Sequence, residues 1–299
     1  LSPTSLSATL LVANKSEASV SLHRLPDGKE LARLPTGEGP HEVAVSPDGR
    51  FAVVTDYGTR EIAGGTLTVV DVPKARVIRT IDLAPGSRPH GIEWLDGDTV
   101  AVTAEGIRSL LLVNVESGEV VTKIAIDQDV AHMLALSQDT GRAFVANIGS
   151  GTATAVDLKT GAHLENLEAG AGSEGIAVAR DGTELWVTNR GDDSVTIFST
   201  ESLEKLADIP MPGFPIRARA DDARGVIYVT QPKVNALSVI NVDQRELQQR
   251  IDFDIGPDTE RKTLFSDAMP GSSIPIGVLL SGDGKTLYVA HTNAHLVSV

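Results

Sequence analysis

His41, His90 and His132 each open an alternating apolar run, in "HEVAVS", "HGIEWL" and "HMLALS", and Glu174 stands at the same place in "EGIAVA". Three imidazoles and a carboxylate form a ligand set that Zn²⁺, Fe²⁺ or Cu²⁺ accepts. In that set Glu174 is either a fourth metal ligand or a general base acting on metal-bound water, and the chemistry open to it is hydrolysis, lyase chemistry or oxidation. A histidine at a strand entry can also simply pack between sheets and donate one N–H to a carbonyl. Three of the seven histidines at one recurring position, with an acid at the next, raise the metal or catalytic reading beside the packing one.

Other chemistry-bearing residues are less regular. His291 and His295 flank a "TNA" turn and suit loop capping better than a metal. His23 and His163 are expected on outer strands, in solvent. Asp254, Asp258, Glu260 and Asp267 form an acidic loop whose spacing matches no EF-hand, so solvation is the expected state. There is no phosphate-binding glycine loop, nucleophile elbow or H-E-x-x-H pair. With no cysteine, disulfides and thiolate metal sites are excluded.

The elements that would position the four residues recur with a period of about forty residues. Each unit starts with a run such as "PHEVAV", turns on Gly and Asp, and continues into a second run: "FAVVTD", "TVAVTA", "RAFVAN", "ELWVTN", "VIYVTQ" or "TLYVAH". Apolar residues two apart mark strands with a buried face. Third and fourth strands follow. Four short antiparallel strands cannot bury both faces alone, but units packed face to face around an axis can. The fold expected is all-β, a seven-bladed β-propeller of four-stranded antiparallel blades in one domain, 1–299. Its blades fall near 7–39, 40–86, 87–127, 128–171, 172–213, 214–272 and 273–299. The first lacks an inner strand, and the last ends in its third strand, so the chain is expected to continue beyond Val299 or to close imperfectly.

First strands are innermost in such a fold, which points their entry residues toward the axis. The same face should carry Asp56, Glu105, Asn147, Asn189, Gln231 and His291, at or just past the ends of second strands. It should also carry the two longest departures from the repeat, 57–65 and 252–273. Long connections in compact domains are more often functional than short ones.

At "FVAN", "WVTN", "YVTQ" and "YVAH" the chain resembles the YVTN-type β-propeller repeat over nearly its whole length. Proteins of that family are often exported, which implies a periplasmic or extracellular location. The stretch "PHEVAVSPDGRF" is similar, locally, to the seven-bladed lactonase family, and that likeness implies lactone hydrolysis.

The formal charge is −14, from 26 Lys plus Arg against 40 Asp plus Glu, with the basic residues scattered. Nucleic acid is not an expected partner. No apolar run reaches membrane-spanning length, so membrane insertion is not expected. The leading reading is an exported propeller that binds a small-molecule ligand, a metal ion or a protein partner over its irregular face and axial funnel. Two enzymatic readings stand beside it: a metal-dependent enzyme with the three-His plus Glu site, and a lactonase-like hydrolase.

Overall fold

The computed structural model describes residues 8–258 and 265–299. The fold is that of a seven-bladed β-propeller, with seven antiparallel sheets in chain order. Five have four strands; the first, at 9–35, and the last, at 275–298, have three. Among the described residues the first sheet has no inner strand and the last no outer one, as the repeat predicts. Among the described residues no helix is long and apolar enough to cross a membrane.

The chain divides into two compact units, Leu1–Asp127 and Gln128–Val299, and the division falls on a blade junction. The first unit holds blades one to three, and the second holds blades four to seven. Within the first unit the entry strand of blade two, Pro40–Val45, packs against that of blade three, Pro89–Trp94. Within the second unit the entry strands of blades four to seven pack one against the next.

Second strands bury both faces. In "AVV", Ala52 and Val54 join Val20 and Val70 on one side, while Val53 joins Leu67, Ile92, Val100 and Val102 on the other. Burying each of these valine, leucine and isoleucine side chains contributes about 1.5–3 kcal/mol. The "WVTN" strand shows what each position does. Trp186 packs with Ile227, Val229 and Ile240 of blade six, and Val187 packs with Phe144 and Ala146 of blade four. Thr188 Oγ1 accepts the Gly175 N–H at 2.9 Å. Asn189 Nδ2 donates to Ser194 Oγ at 3.1 Å and Thr196 Oγ1 at 2.8 Å on the third strand.

The first long departure, 57–65, is largely strand. Phe51–Gly58 and Ala63–Asp71 extend the hairpin until Gly58 pairs with Ala63. Close packing explains its glycines, since a Cβ on Gly58 would lie 2.2 Å from the Ile62 carbonyl oxygen and one on Gly64 would lie 1.9 Å from that of Asp56. The second departure has no strand among its described residues between Asp252 and Pro275. Glu260 lies outside the described residues.

Candidate functional site

The entry residues sit on a β-bulge. In blade two Pro40 pairs with Asp56 and Val43 with Val54, so His41 and Glu42 together stand opposite Thr55. Blade three repeats this with His90 and Gly91 opposite Thr103, blade four with His132 and Met133 opposite Ala146, and blade five with Glu174 and Gly175 opposite Thr188. A bulge bends the strand and re-aims the side chain it carries. It also breaks the alternation that would place His41 in line with Val43 and Val45.

Two features fix the bulge. Thr55 Oγ1 accepts the Glu42 N–H at 3.0 Å and donates to the His90 carbonyl at 3.0 Å, tying blade two to blade three. Thr103 Oγ1 accepts the Gly91 N–H at 2.8 Å. Two residues before each entry residue the backbone is left-handed, with φ of 58° at Gly39, 48° at Arg88, 58° at Val130, 72° at Gly172, 64° at Phe214 and 56° at Ile274.

In the first unit His41 and His90 come together, with ring centroids 4.0 Å apart and planes tilted by 46°. Tyr57 makes T-shaped contacts with both, at 5.5 Å from His41 and 5.3 Å from His90. His41, Glu42 and His90 each present a ligand atom, and these atoms all lie within 4.8 Å of one another. His90 is 1% exposed, whereas the His41 and Glu42 side chains are 24% and 27% exposed, so the cluster opens outward from His90. The Tyr57 hydroxyl donates to Glu105 Oε2 at 2.6 Å. Burial, reinforced by Glu105, pushes the phenol well above its usual range and keeps it protonated. Lys15 Nζ and the Arg88 guanidinium lie over the same ring at 4.9 and 5.2 Å.

In the second unit His132 and Glu174 come together, with His132 Nε2 3.3 Å from Glu174 Oε1. Arg217 Nη1 binds that oxygen at 3.0 Å, and Arg190 Nη1 pairs with Oε2. Burial pushes the Glu174 carboxyl up, but His132, Arg217 and Arg190 outweigh it and hold its pKa down at about 2. Arg190 also lies over Phe214 at 5.2 Å and Phe265 at 5.8 Å. Thus Glu174 is an ionised anchor for two guanidiniums.

The residues at the ends of second strands mostly brace the blades. Asn14 donates to Ser19 and Ser21, Asn147 to Thr152 and Thr154, and Asn189 to Ser194 and Thr196. Gln231 accepts from Ser238. His291, 1% exposed, lies between Ser273 Oγ at 2.7 Å and Ser298 Oγ at 2.8 Å, and burial pushes its pKa down to about 4. Asp56 is a buried acid of this set. It accepts from Thr66 at 2.7 Å and Thr68 at 2.9 Å, but burial prevails over those bonds and pushes its pKa up to about 6.

His295 pairs with Asp258 at 3.9 Å. His163 is exposed on an outer strand, as expected. His23 corrects its expectation: it is half-buried on the central strand of its three-stranded sheet, with Nε2 2.8 Å from Ser21 Oγ. Tyr57, Arg88, Lys15, Arg190 and Arg217 were not singled out by the repeat, although Arg217 takes the place in blade six that Glu42 holds in blade two.

Solved structures support the fold. The chain is similar to a structure described as hydrazine synthase of Kuenenia stuttgartiensis, at 20% identity and a TM-score of 0.79, covering 97% of this chain and 91% of that one. It is also similar to virginiamycin B lyase of Staphylococcus aureus, at 15% identity and a TM-score of 0.78, covering 97% and 90%. At such identities the likeness carries the fold alone. No family profile matches the chain, and no curated protein matches its sequence.

Proposed function

We propose that this protein is a metal-binding β-propeller in which His41, Glu42 and His90 hold a divalent transition metal ion and leave a coordination position open to a small-molecule ligand. The observation that carries this reading is the convergence of three ligand atoms within 4.8 Å on one bulged entry strand and its neighbour. Zinc bound tetrahedrally at about 2.0–2.2 Å needs its ligand atoms about 3.4 Å apart, an inward adjustment that side-chain rotation supplies. Two histidines and a carboxylate suit Zn²⁺, Fe²⁺ or Cu²⁺, and three protein ligands are the number used where the metal keeps an open site. The resemblance to exported YVTN-type propellers supports a periplasmic or extracellular location.

A second reading makes the same ion catalytic. Metal-bound water ionises near neutral pH, which suits hydrolysis or lyase chemistry, and one structural neighbour is itself a lyase. The local likeness to lactonases makes sugar lactones the first substrates to assay. In this reading the ion pairs of Glu174 favour an anchoring role over proton transfer.

The test is metal analysis of protein purified without a histidine tag and equilibrated with Zn²⁺. About one equivalent is expected, lost in His41→Ala and His90→Ala variants that retain the parent's thermal transition. Absence of stoichiometric metal, or a His90→Ala variant that binds like the parent, defeats the reading.

A further inference from the structure

We infer that the ligand at this site carries an oxyanion group, a carboxylate or a phosphate, recognised jointly by the bound ion and by Arg88 and Lys15; this rests on the metal reading above. The first support is where Arg88 sits. Six blades place a left-handed residue two positions before the entry residue, and blades two and five use glycine there, Gly39 and Gly172. A side chain in that conformation is strained, because its Cβ crowds the following carbonyl oxygen. Val130, Phe214 and Ile274 accept the strain with apolar side chains, and Arg88 accepts it with a charged one.

The backbone of Arg88 is fixed on both sides. Its N–H donates to the Gly64 carbonyl at 3.0 Å, and its own carbonyl accepts the Glu105 N–H at 3.2 Å. Nη1 donates to the Thr59 carbonyl at 3.0 Å, which sets the guanidinium over Tyr57. Lys15 reaches the same ring from blade one. Both cations are therefore placed against the tyrosine that packs on both imidazoles. A planar guanidinium fork matches the geometry of a carboxylate or phosphate, and a lysine adds a point charge.

The experiment uses Co²⁺ in the full chain, because its visible bands report coordination directly. Acetate and inorganic phosphate are titrated against neutral acetamide. Saturable band shifts with one or both anions and none with acetamide are expected, and the anion that responds identifies the oxyanion. Arg88→Gly, which installs the residue the repeat itself uses, should keep the cobalt bands and weaken anion binding about ten- to a hundredfold. Arg88→Gln, similar in shape and uncharged, should weaken it likewise, and Lys15→Ala by a smaller factor. Cobalt bands that respond equally to acetamide, or variants at Arg88 that bind anions like the parent, overturn the inference and leave the metal reading standing. If no cobalt bands form, the metal reading fails and the inference falls with it.

Discussion

The imidazoles of His41 and His90 belong to different blades, yet their ring centroids lie 4.0 Å apart. Thr55 holds that arrangement from behind, because one hydroxyl accepts from the strand that carries His41 and donates to the carbonyl of His90 itself.

Replacing Thr55 by valine keeps the volume and removes both hydrogen bonds. The buried Glu42 N–H and His90 carbonyl then lose a partner, at about 1–3 kcal/mol. Urea unfolding should show that loss, and Zn²⁺ affinity should fall with it although no ligand is altered. A variant with the parent's stability and metal affinity would mean that the bulge holds itself.

Asp56 stands where three other blades have asparagine. Its folded pKa, about 6, lies above the ordinary 3.8, so the native state binds a proton that the unfolded chain releases earlier. Stability from this group is full below pH 3.8 and falls as pH rises through 6, by about 2–3 kcal/mol in all. Asp56→Asn should therefore be the more stable protein at pH 8, with the gain shrinking toward pH 4. Parallel pH profiles for parent and variant in urea unfolding would count against this account.

Glu174 has the opposite sign. Its pKa is held down at about 2, so its contribution is full above the ordinary 4.5 and is lost as pH falls toward 2. Glu174→Gln leaves Arg190, Arg217 and His132 without their shared carboxylate, and breaking a buried ion pair costs about 3–5 kcal/mol. The variant should unfold at lower urea at pH 7 and lack the acid limb between pH 4.5 and 2. An unchanged midpoint would show that the cluster is solvated.

The blades were legible because their signals are local. Alternation in "FAVVTD" and "PHEVAV", with Gly and Asp between them, specifies a hairpin without reference to the rest of the chain. The bulge was not legible, because two residues opposite one is a property of a pair of strands, and only Thr55, a polar residue in an apolar run, hinted at it. His41 and His90 were found through the repeat. Tyr57, Arg88 and Lys15 depart from it, each from a different segment, and no spacing links them. The asparagines at second-strand ends carry polar groups for bracing, a distinction that needs the partner hydroxyls of the third strand.

The kink at the start of each entry strand has an evolutionary consequence. Because threonines and a left-handed hinge secure the main chain, the residue displayed there can differ from one sector to the next without disturbing the sheet behind it. Histidine, glutamate and isoleucine already occupy that socket in this one polypeptide. New reactivity can thus be installed one sector at a time, while the surrounding architecture stays as it is.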